Sequence, residues 1–128
     1  MADRPLRVLI VEDEHLIAAS LAASLRHLGL EVGGLAATSA EAVALLEADR
    51  FDIAFIDLLL DSEYRGLDLA KLASARAVAV VLVTGHLNDA ISGTLATLRS
   101  AALLTKPFSI DQLGAVVAAV RQSLARRQ

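Results

Sequence analysis

Four polar positions in this sequence each come directly after a run of apolar residues. They are the acid pair Glu12-Asp13, Asp57, Thr84 and Lys106. If the apolar runs are adjacent parallel strands, these side chains meet at one edge of a sheet, the edge at which open α/β sheets bind ligands. Three carboxylates, a hydroxyl and an ammonium would then converge in one place.

This set of side chains is suited to metal binding and phosphoryl chemistry. Carboxylates held close together repel one another and require a compensating cation. An oxygen-only donor set without His or Cys favours Mg²⁺. An Asp carboxylate can attack phosphorus to give an aspartyl phosphate. Phosphoryl transfer needs mainly positioning and neutralisation of charge, which Mg²⁺ and Lys106 could supply, with a hydrogen bond from Thr84.

The elements that must position these residues follow an alternating pattern. Apolar runs of strand length alternate with segments of helical period, which is typical of a parallel sheet with crossover helices. The predicted strands are Val8–Val11, Val32–Ala37, Phe51–Leu58, Val78–Val83 and Ala101–Thr105. The predicted helices cover Ile17–Leu28, Thr38–Ala48, Gly66–Ser74, Asn88–Ser100 and a last helix from Ser109 to about Leu124.

Local signals support several helix ends. Thr38 and Ser109 each precede Glu or Gln by three residues, the capping-box pattern. Gly29 is placed to end the first helix. The segment 88–100 is the weakest helix, because it contains Ser, Gly and two Thr residues of mediocre or poor helix propensity.

The bulk properties indicate one soluble, cytoplasmic domain spanning 1–128. The chain has 128 residues, 55% of them apolar and 3% aromatic, with no cysteine. Its net charge of -3 argues against a general nucleic-acid surface. The start has no signal-peptide pattern, and the longest apolar run, Ala77–Val83, is far shorter than the roughly 20 residues that a bilayer requires.

From about Leu6 to Leu124 the chain resembles the receiver domain of a two-component response regulator. The resemblance rests on the acid pair, Asp57, Thr84 and the Lys106-Pro107-Phe108 motif. It implies a flavodoxin-like (βα)5 three-layer sandwich with strand order 2-1-3-4-5. It also implies that Asp57 is the phosphoacceptor, that Thr84 is the switch hydroxyl and that Lys106 is the characteristic lysine.

The resemblance further implies a magnesium site and a particular backbone geometry. Mg²⁺ would bind through Asp13, Asp57 and the backbone carbonyl of Leu59, with Glu12 acting directly or through water. In the family the bond between Lys106 and Pro107 is usually cis, which would aim the lysine back at the site.

Two features of the sequence depart from the family pattern. The position of the aromatic switch residue, three before the lysine, is Leu103. In the loop after Asp57, Asp61 stands where proline is common and Gly66 comes one residue late. Leu59 and His86 occupy the positions that flank the attacking water during dephosphorylation.

The sequence therefore predicts a stand-alone receiver that takes a phosphoryl group from a sensor histidine kinase or a phosphotransfer protein. It would catalyse only its own phosphorylation and dephosphorylation. A downstream protein would read the surface of segment 88–100, the fifth strand and the last helix, and a homodimer is left open. No output domain follows, so a direct transcription role is not expected, although a piece of a longer protein would look identical.

Three alternatives remain. A phosphate sink or relay intermediate would share the chemistry but have no phosphorylation-dependent partner. A pseudo-receiver would act as a protein-interaction module, which Leu103 and the altered loop favour and Asp57, Thr84 and Lys106 oppose. A metal-dependent phosphohydrolase would normally carry a general-acid Asp where this chain has Leu59.

Overall fold

The computed structural model describes residues 4–60, 65–85 and 102–126. Its elements are β1 (Arg7–Val11), α1 (His15–His27), β2 (Glu31–Ala36), α2 (Ser39–Ala48), β3 (Ile53–Asp57), α3 (Arg65–Ala75), β4 (Ala79–Thr84), β5 (Ala102–Thr105) and the C-terminal helix α4 (Ile110–Arg126). No helix in these ranges is both long and apolar enough to cross a membrane.

The strands form one parallel sheet. Its order is β2-β1-β3-β4-β5, and every neighbouring pair is parallel. This confirms the predicted flavodoxin-like α/β architecture and its strand order. Every residue of β3 and β4 is buried, which explains why these two strands read as continuous apolar runs.

Alternate strand residues supply two separate cores, one on each face of the sheet. Leu9 and Leu82 pack with residues of α2 and α3 on one face. Ile10 and Val81 pack with residues of α1 and α4 on the other. The helices therefore cover both faces and leave the carboxyl edge of the sheet for polar side chains.

The predicted third strand, Phe51–Leu58, is too long at both ends. Phe51 and Leu58 are buried, but they lie outside the strand Ile53–Asp57. An apolar run in the sequence indicates which residues are buried. The ends of a strand are set by its backbone hydrogen bonds to the neighbouring strands. The predicted helix over 88–100 lies outside the described residues.

Both predicted capping boxes form. The Thr38 hydroxyl accepts from the Glu41 amide at 3.1 Å, and the Glu41 carboxylate accepts from the amide of Ala37, one residue before the cap, at 2.8 Å. At α4 the Ser109 hydroxyl accepts from the Gln112 amide, and the Gln112 side chain accepts from the Ser109 amide. These bonds satisfy amides that have no partner within the helix.

Two helices end in the same backbone turn with different residues at its critical position. At the end of α1 the Leu30 amide donates to the Leu25 carbonyl, and Gly29 has φ 89°. At the end of α3 the Val78 amide donates to the Ala73 carbonyl, and Ala77 has φ 63°. Both are Schellman turns, in which the left-handed residue is usually glycine. Ala77 therefore carries strain that Gly29 avoids.

The two turns predict opposite effects on stability when their left-handed residues, Ala77 and Gly29, are exchanged for Gly and Ala. Ala77→Gly relieves a left-handed strain of about 1–2 kcal/mol and gives up part of that gain to the freer unfolded chain. We expect the free energy of unfolding to rise by up to about 1 kcal/mol. Gly29→Ala should lower it by a similar amount. Urea unfolding of both variants measures the difference, and a loss of stability in Ala77→Gly would contradict the assignment.

Candidate functional site

The sheet brings the predicted site residues to one edge. Asp57 is the last residue of β3 and Thr84 the last of β4. Glu12 follows β1, and its amide donates to the Ala36 carbonyl of β2 at 2.9 Å. The Lys106 amide donates to the Thr84 carbonyl at 2.8 Å. Each residue therefore has its backbone fixed by a neighbouring strand.

The three acids form a compact cluster. Glu12, Asp13 and Asp57 each offer a carboxylate oxygen, and these oxygens lie within 4.8 Å of one another. Glu12 and Asp57 are buried, and Asp13 is half-buried. Hard oxygen donors this close together fit Mg²⁺, which takes carboxylates and retains several waters.

Lys106 is the cation that the structure places against this cluster. Its Nζ lies 2.9 Å from Oε1 of Glu12 and 3.4 Å from Oδ2 of Asp57. The two carboxylate side chains are 4% and 9% exposed, whereas the lysine is 24% exposed. Burial works against the charged lysine, but the hydrogen bond to Glu12 and the charge of Asp57 leave its pKa above the ordinary value.

Asp57 has an unusual proton affinity for an aspartate. Burial, followed by the nearby charge of Glu12, raises the pKa of Asp57 from 3.8 to about 6. The charge of Lys106 and the Leu59 amide, which donates to Oδ1 of Asp57 at 3.1 Å, act in the opposite direction. Near neutral pH the carboxylate is therefore still mostly ionised, although burial and the charge of Glu12 disfavour its ionised form.

Both oxygens of Glu12 already have partners. Oε1 accepts from Lys106, and Oε2 accepts from the Glu14 amide at 3.2 Å. Glu12 thus holds the lysine at the site, an interaction that the motif alone did not indicate. Its predicted role toward a metal stays a prediction.

The amino end of α3 rests directly on the backbone of Asp57. The Gly66 amide donates to the Leu58 carbonyl at 3.2 Å. A Cβ at Gly66 would lie 2.3 Å from the Asp57 carbonyl oxygen and 2.7 Å from the Leu58 Cα. The sequence predicted Gly66 as the start of a helix and as a glycine one residue late in the loop after Asp57, but it did not predict this contact. A glycine where a helix starts is the signal for this close backbone approach.

The remaining predicted residues are placed as follows. Leu103 is half-buried on β5 and packs against the core on the α2 and α3 face. The Leu59 side chain is 47% exposed. The Lys106-Pro107 bond is cis, as predicted. His86 lies outside the described residues.

The Asp57 carboxylate is buried beside that of Glu12. We therefore predict that, when no divalent cation is present, neutralising Asp57 stabilises the protein. Because the folded pKa lies above the ordinary one, ionisation of Asp57 lowers the stability as pH rises from about 4 to about 6. We expect Asp57→Asn to raise the free energy of unfolding at pH 7.5 by on the order of 1 kcal/mol. Lys106 keeps Glu12 as its partner in this variant.

Urea unfolding in EDTA at pH 4.5 and 7.5 measures this gain, which should be larger at the higher pH. The exposed acid Asp111 provides the control, and Asp111→Asn should show no gain. A gain in Asp57→Asn that is equal at both pH values would contradict the assigned cause.

The contact at Gly66 predicts a steric penalty. Gly66→Ala places a methyl group against the backbone carbonyl of Asp57. We therefore expect the free energy of unfolding to fall by about 2–3 kcal/mol. The control is Gly114→Ala in α4, where the nearest atom to the new Cβ is 3.9 Å away. That variant should be as stable as the parent or slightly more stable. Equal stability of the two variants would refute the contact.

Comparisons with known proteins agree with this geometry. Residues 8–118 match the family model described as the response regulator receiver domain. The transcriptional regulatory protein PdtaR of Mycobacterium tuberculosis is 37% identical over 110 residues, which are 85% of this chain and 53% of PdtaR. The phyllosphere-induced regulator PhyR of Methylorubrum extorquens is 33% identical over 132 aligned positions, covering 99% of this chain and 49% of PhyR. The chain spans about half the length of these two relatives.

A solved structure shows the same fold. The CheY-like response regulator receiver domain protein from Methanospirillum hungatei superposes with a TM-score of 0.83 at 26% identity, covering 95% of this chain and 98% of the other. The family model covers most of the chain. The protein therefore belongs to the response regulator receiver domain family.

Proposed function

We propose that this receiver domain accepts a phosphoryl group on Asp57 from a sensor histidine kinase or a histidine phosphotransfer protein. The observation that carries the proposal is the convergence of Glu12, Asp13 and Lys106 on the Asp57 carboxylate. Three carboxylates this close together repel one another. A cation bound among them, which would also bind phosphoryl oxygens, would account for all three.

The proposed reaction is a direct transfer to Asp57. One Asp57 oxygen forms a bond to phosphorus while the bond from phosphorus to the donor imidazole nitrogen breaks, and that nitrogen takes the electron pair and a proton from solvent. Asp57, with its pKa near 6, supplies an ionised nucleophile at neutral pH. The chain acts only on itself and on its donor, and it turns over no separate substrate.

Positive charge and hydrogen bonds would stabilise the transferred oxygens. Lys106 is 3.4 Å from Asp57 and would shift from Glu12 toward the phosphoryl oxygens. The Thr84 hydroxyl would donate a hydrogen bond from the end of β4. Asp13, Asp57 and the Leu59 carbonyl, with Glu12, would hold Mg²⁺, which supplies charge neutralisation when bound.

Exposed apolar side chains near the site offer a surface for a protein donor. Among the residues that the structure describes, three of the four exposed large apolar residues follow strands at the carboxyl edge: Leu16 after β1, Leu59 after β3 and Ile110 after β5. Leu16 is 87% exposed. Apolar surface around a polar centre is typical of a site that another protein covers.

The readout would be a shift between two conformations. Phosphorylation would bias an existing equilibrium, and a protein partner in the cytoplasm would read the face of segment 88–100, β5 and α4. Leu103 replaces the aromatic side chain of the family switch. This difference favours the second candidate, a pseudo-receiver that binds its partner without phosphorylation. The phosphate sink remains a third outcome.

Phosphorylation of the whole chain tests the proposal. After incubation with acetyl phosphate or phosphoramidate and Mg²⁺, we expect intact-mass spectrometry to show a gain of one phosphoryl group. The gain should disappear in EDTA and in Asp57→Asn. Asp68→Asn, an exposed acid on α3, serves as the control and should retain it.

The outcomes separate the candidates. No mass gain with either donor would refute the proposal and favour the pseudo-receiver. A gain combined with partner capture that depends on the donor supports the switch. A gain with rapid return to a kinase and no dependent partner identifies a phosphate sink.

A further inference from the structure

Lys106 contacts two carboxylates, and it does not contact them equally. Its Nζ donates to Oε1 of Glu12 at 2.9 Å, an ordinary hydrogen-bond length. Its distance to Oδ2 of Asp57 is 3.4 Å, which is longer than the usual range for such a bond. When no phosphoryl group is present, the ammonium is therefore bound to Glu12 and lies beside Asp57.

Backbone groups hold Glu12 in place. Its amide donates to the Ala36 carbonyl of β2 at 2.9 Å, and its second carboxylate oxygen, Oε2, accepts from the Glu14 amide at 3.2 Å. The residue is 5% exposed. A side chain fixed in this way can set the position of the lysine that it binds.

This arrangement affects the nucleophilic carboxylate. Oδ1 of Asp57 accepts from the Leu59 amide at 3.1 Å, whereas Oδ2 has the longer contact to Lys106. If the ammonium moved fully onto Asp57, both oxygens would accept strong hydrogen bonds. Such bonds stabilise the ionised carboxylate and make it a weaker nucleophile. By binding the lysine, Glu12 leaves Oδ2 more reactive toward phosphorus.

The lysine nevertheless stays close enough to act. From its position on Glu12 the ammonium needs to move only a short distance to reach the oxygens of a phosphoryl group on Asp57. Positive charge at those oxygens is what phosphoryl transfer requires. Glu12 therefore keeps the cation available to the product without pairing it with the nucleophile.

The length of the Glu12 side chain determines which carboxylate the lysine binds. An aspartate at this position would end farther from Nζ by about one carbon–carbon bond, roughly 1.5 Å. Its hydrogen bond to the ammonium would then be lost or much weakened. Asp57, already 3.4 Å from Nζ, would become the better partner.

We propose that Glu12 is a positioning residue for Lys106, which holds the ammonium beside the Asp57 carboxylate and releases it to the phosphoryl oxygens after transfer. The inference rests on the proposed phosphorylation of Asp57, and it gives Glu12 a role that does not pass through the metal. The alternative is that Glu12 acts only on Mg²⁺, directly or through water.

The lysines themselves report the contact with Glu12. The chain contains two, Lys71 and Lys106, so ¹⁵N-lysine labelling of the whole chain gives two ammonium signals. In EDTA without a phosphodonor, we expect the Lys106 ammonium to exchange protons with water more slowly than that of Lys71, which is exposed on α3. Glu12→Asp should shift the Lys106 signal and leave that of Lys71 unchanged. Glu47→Asp, the same shortening of an exposed acid on α2, should shift neither.

The rate of phosphorylation separates a role through the lysine from a role through the metal. Intact-mass spectrometry with acetyl phosphate or phosphoramidate gives this rate at each Mg²⁺ concentration. If Glu12 acts through Lys106, Glu12→Asp should lower the rate at saturating Mg²⁺ by about threefold or more. If Glu12 acts only on the metal, saturating Mg²⁺ should restore the parent rate.

The same substitution in a chain without the lysine locates the effect. In Lys106→Met there is no ammonium to position, so adding Glu12→Asp should leave the rate at saturating Mg²⁺ unchanged. Two substitutions that remove one interaction are non-additive in this way. Lys106→Gln provides a second background, and the comparison of Glu12→Asp with the parent requires neither.

An unshifted Lys106 signal in Glu12→Asp would overturn the proposal. A rate defect that saturating Mg²⁺ removes, or one that persists without the lysine, would also overturn it, as would a faster reaction in Glu12→Asp. If the parent chain takes up no phosphoryl group, the proposed function fails and this role fails with it. The lysine spectra would still decide, in that case, whether Glu12 holds Lys106.

Discussion

The site depends on one lysine shared by two buried carboxylates. Glu12 and Asp57 are almost completely removed from water, and Lys106 contacts both. Removing Lys106 would leave both buried carboxylates without a cation, which costs far more than a surface ion pair is worth. One ammonium cannot neutralise two buried acids, so the group of Glu12, Asp57 and Lys106 retains a negative charge. That remaining charge is what makes the edge attractive to a divalent cation.

The backbone around this group leaves little freedom to the acid that matters most. Asp57 ends a strand that is buried throughout, the Leu59 amide holds one of its oxygens, and α3 contacts its carbonyl through Gly66. Asp57 is therefore held through its strand, through one carboxylate oxygen and through its backbone carbonyl. The raised pKa of Asp57 therefore follows from its fixed position in the fold.

Much of this arrangement could be predicted from the sequence. Continuous apolar runs predict buried parallel strands, and parallel strands bring their carboxyl ends together, so Glu12, Asp13, Asp57, Thr84 and Lys106 could be grouped without coordinates. The capping boxes at Thr38 and Ser109 were also readable, because each depends on residues three apart. These signals are local or follow from strand polarity.

Other features needed the three-dimensional structure. The preference of Lys106 for Glu12 over Asp57 is a matter of half an ångström. The contact at Gly66 depends on how a helix approaches a strand. The pairings of Arg4 with Asp52 and of Arg7 with Asp49 join residues more than 40 positions apart. The left-handed alanine at residue 77 has no sequence signal, since that turn normally carries glycine.

The length of β3 determines how strongly the charges at the two edges of the sheet interact. Asp52 directly precedes the strand and Asp57 ends it, about 17 Å apart at 3.3 Å per residue. At that distance two charges near a protein surface interact by about 1 kcal/mol or less, and salt screens the exposed ones further. The charges at one edge of the sheet therefore have little effect on the charges at the other edge. Substitutions at one edge should be additive with substitutions at the other, so each edge could change its charge in evolution without retuning the other.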